Sequence, residues 1–99
     1  MIRKFLKYNF TLQRYSTSIN VPRQANCNGF TATNIGLIPV QINGRLLFPS
    51  ATPATVLGDS RTFGGNEGEI YVGNIEVIFA AGAGGLVEIE QKFYIDDKD

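Results

Sequence analysis

The sequence predicts an all-β fold, a single small antiparallel β-sandwich of jelly-roll or Ig-like type with about seven to eight strands. Three observations carry that expectation. Every segment with clear periodicity alternates with period two, breakers (Gly, Pro, Asn and Ser) recur between such segments at strand-turn spacing, and no amphipathic helix of useful length can be drawn. Size and composition agree with one domain over residues 1–99: apolar residues make up 43% and charged residues 18%, with seven Phe and four Tyr to fill a core.

The elements follow in chain order. Tyr8, Phe10 and Leu12 alternate with Asn9, Thr11 and Gln13, whereas Ile19 and Val21 resume on odd positions, so a turn or bulge is expected across Tyr15 to Ser18. Pro22 closes this part, Arg23 to Gly29 reads as a polar loop, and a short strand is expected around Phe30 to Thr33. In "LIPVQINGRLLF" the Asn43-Gly44 pair suits the positive φ angles of a two-residue type I′ turn, which sets Ile42 opposite Arg45, Gln41 opposite Leu46 and Val40 opposite Leu47. Ile38, Val40, Ile42 and Leu47 then share the core face, and Leu46 and Phe48 point the other way and call for a cover. Pro39, without an N–H, places this hairpin at the rim of a sheet.

Residues 49–68 read as a long connection with a short strand near Thr62-Phe63, followed by strands over 69–72, 74–79 and 86–95. In the last strand Val87, Ile89, Phe93 and Ile95 alternate with Glu88, Glu90, Lys92 and Tyr94; Gln91, on the inward side, needs a hydrogen-bond partner if buried. The expected core is Phe10, Leu12, Val40, Ile42, Val77, Phe79, Val87, Ile89 and Phe93. Residues 1–7 read as a basic N-terminal arm and 96–99 as an acidic tail.

Zero net charge conceals an uneven layout. Arg3, Lys4, Lys7, Arg14, Arg23 and Arg45 precede every acidic residue, and from Asp59 onward nine acids stand against Arg61, Lys92 and Lys98. Two arrangements follow from this: basic N-terminal strands beside acidic C-terminal ones within one sheet, or basic and acidic surfaces meeting between subunits. The balanced total argues against dominant nucleic-acid binding. No apolar run approaches a membrane span, no export signal is visible, and Cys27, the single cysteine, allows no intrachain disulfide, which favours folding in a reducing compartment.

Candidates for chemistry are few. "IEVIFAAGAGGLVEI" invites comparison with a phosphate-binding loop, but Gly82, Gly84 and Gly85 lack the required spacing and the element that follows alternates as a strand, so a flexible hairpin tip joining the last two strands is expected. With no histidine, the usual bases and metal clusters cannot be assembled. Cys27 reads as a small buried or loop residue rather than a nucleophile, and Glu67 with Glu69 as turn or surface charge rather than a glycosidase pair. Asp59, Asn66, Glu67 and Glu69 gather acidic ligands without the spacing of a calcium loop, and Tyr71, Tyr94, Arg14 and Arg45 are sugar- or protein-contact types that also suit ordinary strand exteriors. No catalytic residue, metal or cofactor is expected.

The runs "VQINGRLLF", "SRTFGGNEGEI", "IEVIF" and "LVEIEQKFYI", over residues 35–95, resemble small β-sandwich structural proteins of bacteriophage virions. The resemblance implies a capsid-associated, vertex, spike or tail component, folded in the host cytoplasm and located in the virion. The expected function is non-enzymatic assembly, with copies of the chain and other virion proteins as partners. The candidate interface residues are Arg3, Lys4 and Lys7 in the N-terminal segment, Arg45, Leu46 and Phe48 on the hairpin, and Glu88 and Glu90 on the last strand. The alternative is a module that binds a host glycan or receptor through loops at one end of the sandwich, Asp59 to Gly68 and Gly82 to Gly85.

Overall fold

A computed structural model describes residues 7–52 and 55–95. Arg3 and Lys4 of the basic arm and the acidic tail 96–99 lie outside these residues. Eight strands form: β1 (Lys7–Tyr15), β2 (Ile19–Asn20), β3 (Cys27–Asn34), β4 (Val40–Ile42), β5 (Arg45–Leu47), β6 (Ser60–Gly64), β7 (Glu76–Phe79) and β8 (Val87–Ile95). They make two four-stranded sheets, β1-β8-β3-β6 and β2-β7-β4-β5. Every pairing is antiparallel. Among the described residues there is no helix, so none is long and apolar enough to cross a membrane.

The pairing is nested. β1 joins β8, β2 joins β7, β3 joins β6 and β4 joins β5, as in one long hairpin folded back on itself. Rolling that hairpin adds the β8–β3 and β7–β4 contacts and splits it into two facing sheets. This is the jelly-roll topology, which decides between the two sandwich types that the sequence leaves open.

The core lies between the sheets and is made of Val21, Phe30, Ala32, Val40, Ile42, Leu47, Ile75, Val77, Val87 and Ile89, with Tyr15, Phe63, Tyr71 and Phe79 packed at its margin. Phe30 anchors it, stacking on Phe63 at 4.7 Å between centroids and meeting the edge of Tyr71 at 5.4 Å. Such ring pairs add to plain area burial. The Asn43-Gly44 turn forms with φ of 49° and 80°, and the β4–β5 register is the expected one. The hairpin does lie at a sheet rim, but β5 is the rim strand; β4, which follows Pro39, is paired on both sides. Gln91 is buried, and its Oε1 accepts from the Gln24 N–H at 2.8 Å while its Nε2 donates to the Pro22 carbonyl at 3.0 Å.

Four expectations about the elements are corrected. Phe10, Leu12 and Phe93 are not core residues: the first two are 54% and 55% exposed, and Phe93 is half-buried outside the core cluster. No strand forms over 69–72; the segment is held instead by the Tyr71 N–H donating to the Cys27 carbonyl at 2.7 Å and by the Tyr71 ring against Phe30. β3 begins at Cys27, inside the stretch read as a loop: the ladder with β8 reaches back past a bulge between Cys27 and Gly29, where both Cys27 and Asn28 are buried.

The fourth concerns residues 80–86, which are not a hairpin tip. β7 belongs to one sheet and β8 to the other, so Val77 and Val87 meet across the core rather than along a ladder. The segment crosses between sheets beside the β3–β4 crossover, to which it is bonded through Leu37 N–H to Gly84 O (2.8 Å) and Ile35 N–H to Leu86 O (3.1 Å). Two of its glycines are fitted to their places: Gly84 has a φ of 89°, and a Cβ on Gly85 would lie 2.8 Å from the Phe79 ring at Cδ1.

A candidate interaction surface on the outer face of beta strand 1

The pairing register assigns a face to each residue of β1. Tyr15 pairs with Val87, Gln13 with Ile89 and Thr11 with Gln91, so these residues share the inward side of β8. Arg14 pairs with Glu88, Leu12 with Glu90, Phe10 with Lys92 and Tyr8 with Tyr94, on the outward side. The apolar half of β1 therefore faces away from the core and its amide and hydroxyl half faces in. This orientation is tolerated because the core does not extend fully under β1: Asn9 and Gln13, on its inward side, remain exposed.

The outward row has its own internal order. Arg14 Nε lies 3.2 Å from Glu88 Oε2, joining the basic first strand to the acidic last one within the sheet. This is the in-sheet form of the charge asymmetry, and at the exposure of Arg14 the pair contributes little stability. The Lys92 ammonium sits 3.9 Å from the Tyr8 ring centroid, and the Tyr8 and Tyr94 rings are 4.8 Å apart. A side-chain hydrogen bond to Tyr94 raises the Tyr8 phenol, with smaller contributions from desolvation and from the nearby Tyr94 and Glu67. Between these ends Phe10 and Leu12 are exposed apolar side chains on the strand.

The outer face of the second sheet carries a smaller apolar row. Leu46 (47% exposed) and Ile78 flank Gln41 in register, and Phe48 (53% exposed) follows β5. Arg45 is exposed at the turn end of the same strand. The sequence-predicted interface residues thus divide: Lys7, Glu88 and Glu90 belong to the first sheet, and Arg45, Leu46 and Phe48 to the second strand system. Phe10 and Leu12 were missed because alternation alone gives a strand two sides and does not say which is buried.

The remaining candidates separate or become structural. Asp59 and Asn66 to Glu69 lie at opposite ends of β6: Asp59 Oδ2 accepts from the Phe48 N–H at 2.9 Å, whereas the Gly68 N–H donates to the Tyr94 hydroxyl at 2.8 Å. The four acidic and amide residues therefore make no common cation site, and among the described residues no group of three His, Cys, Asp or Glu is gathered. The same separation divides the loops expected together for glycan binding, since Asp59 to Gly68 spans the length of β6 instead of lying wholly at one end with Gly82 to Gly85.

Glu69 accepts from Asn66 Nδ2 at 3.3 Å, and both backbone carbonyls of that turn lie within reach of the buried Asn28 Nδ2, at 2.7 and 2.9 Å. Cys27 is buried with its Sγ 3.4 Å from the Gly29 carbonyl. Burial pushes its thiol upward, partly offset by that hydrogen bond and by Arg23, which keeps the unreactive protonated form. Tyr71 and Tyr94 serve the fold through hydrogen bonds to Asn43 and Asn28.

No protein-family model, curated protein or solved structure matches the chain.

Proposed function

We propose that the chain is a non-enzymatic assembly protein of a bacteriophage virion, acting through contacts with copies of itself and with other virion proteins. The observation that carries the assembly reading is the orientation of β1, a nine-residue strand that turns Phe10 and Leu12 outward. An exposed apolar edge of this length is a liability for a monomer and a docking surface for an oligomer. The Leu46, Ile78 and Phe48 row offers a second contact on the opposite sheet. The virion assignment rests on the sequence resemblance over residues 35–95 and on analogy, since jelly rolls serve as viral capsid domains. Sedimentation at low and high salt, alone and mixed with candidate virion proteins, tests the proposal. Association that persists at high salt is expected for apolar contacts; a monomer at both salts that binds no virion protein overturns it.

A second reading, binding of a host glycan, is favoured by a cleft of about 150 Å3 on the outer face of the first sheet. Phe10, Lys92, Thr31 and Thr62 line it, together with the buried Asn28, whose Oδ1 has no partner among the described residues. Aromatic and hydroxyl groups around a small cleft suit a single sugar ring. A glycan array with no hits, or sugar titration that leaves the Gly65 and Thr62 amide resonances unmoved, overturns this reading.

A further inference from the structure

We propose that two copies of the chain pair through β1 across a two-fold axis at Thr11, joining their first sheets into one continuous eight-stranded sheet. The inference deepens the assembly reading and rests on it, but is independent of the virion assignment. β1 ends the sheet: β8 lies on one side, and among the described residues no strand lies on the other. The strand contains no Pro, Gly or bulge and makes nine consecutive pairs with β8, so its free edge lacks the interruptions that usually protect a monomer.

The choice of a second copy as occupant comes from the order of residues. Antiparallel pairing centred on Thr11 sets Phe10 of one copy against Leu12 of the other, Asn9 against Gln13, and Tyr8 against Arg14. In these three pairs each side chain meets a chemically suitable one: apolar with apolar, amide with amide, aromatic ring with guanidinium. Because the symmetry is two-fold, every pair occurs twice. A one-residue slip loses this match, setting Phe10 against Thr11 or Gln13.

Thr11 supplies an independent observation. Its Oγ1 is buried and has no hydrogen-bond partner among the described residues. Because that oxygen is shielded in the separate chain, the proposed pairing has the Thr11 side chain turn about χ1 toward the edge, where at the axis each hydroxyl can donate to or accept from the other. The same sheet already uses this device, with Thr31 and Thr62 hydroxyls 2.9 Å apart and those of Thr33 and Ser60 2.9 Å apart across β3 and β6.

The test uses the full chain in two arms. Sedimentation equilibrium of the wild type is expected to give about twice the 10.8 kDa chain mass, and Leu12→Lys to raise the dimer dissociation constant at least tenfold. Leu12→Lys should fold, because Leu12 is exposed and the new ammonium faces Glu90, its cross-strand neighbour; an unchanged denaturation midpoint checks this. In the second arm, Thr11→Cys under mild oxidation is expected to give a disulfide-linked dimer, since directly opposed Cβ atoms lie about 4.5–5.5 Å apart and a small shift of the paired strands brings them into disulfide range, while Leu46→Cys gives none. Association that survives Leu12→Lys and yields no link at position 11 overturns β1 pairing and leaves the assembly reading standing. A wild-type chain that stays monomeric and binds no virion protein overturns both.

Discussion

Three buried polar side chains, Asn28, Asn34 and Gln91, tie loops to the core where an apolar side chain would leave backbone groups unpaired. Asn34 does most: its Nδ2 donates to the Ile38 carbonyl at 2.9 Å and the Leu47 carbonyl at 3.0 Å, and its Oδ1 accepts from the Gly36 N–H at 3.0 Å. Asn34→Ala strands all three backbone groups, and a loss of about 3 kcal/mol is expected in urea denaturation. Cys27 gives a pH prediction. Its thiol is raised on folding, so the unfolded chain releases that proton first; the stability it contributes is complete below the ordinary thiol range and is lost as pH climbs through the folded value. Tyr15, raised by burial, acts in the same direction. Melting temperature is therefore expected to fall between roughly pH 8 and 10, less steeply in Cys27→Ala. A disulfide reagent should modify Cys27 of the wild type only as fast as the protein opens.

Adjacent crossovers form the tightest joint between elements. β3 leads to β4 and β7 leads back to β8; because β3 pairs with β8 and β4 with β7, the two connections must run side by side. Gly36 lies in the joint, where a Cβ would stand 2.4 Å from Leu86 N and 2.6 Å from Gly84 O, both backbone atoms that cannot swing aside. Gly36→Ala is expected to cost at least roughly 3 kcal/mol or to prevent folding, read by circular dichroism and thermal melting. Gly44→Ala provides the contrast: no atom lies within 4 Å of the added Cβ, and only the φ of 80° is penalised. A cost of about 1 kcal/mol is expected there. The β4–β5 turn is further clasped by Asn43, whose Oδ1 accepts from the Glu76 N–H at 2.7 Å and whose Nδ2 donates to the Asn74 carbonyl at 2.6 Å.

For the whole molecule, the distribution of apolar surface matters more than any single group. The core is closed over β3, β4, β7 and β8, while the β1 edge and the β5 rim keep large apolar side chains in solvent. A double substitution, Phe10→Ser with Leu46→Ser, removes one apolar contact from each outer face without touching the core. It is expected to leave the melting temperature of the separated chain nearly unchanged and to abolish self-association in sedimentation. Loss of folding would mean instead that these side chains support the monomer.

Much of this fold is legible locally. Period-two alternation, the Asn43-Gly44 turn with its register, the short strand at Thr62-Phe63 and the need of Gln91 for partners are all set by neighbours in the chain, and each is found. The candidate surface is legible only in part: Leu46 and Phe48 point outward as their hairpin register requires, but β1 alternates equally well with either side buried. What decides β1 is its pairing with β8, more than seventy positions away, whose Val87 and Ile89 side is committed to the core. The glycine stretch was misread for the same reason, since two strands joined by a short loop look alike whether they pair in one sheet or face each other in two. The sequence by itself determined most of the strands, apart from the one expected over 69–72 and the start of β3, and what each of their two sides carries. Only the tertiary structure decided which strands pair and which side is buried, because register and sheet membership are set by contacts between residues far apart in the chain.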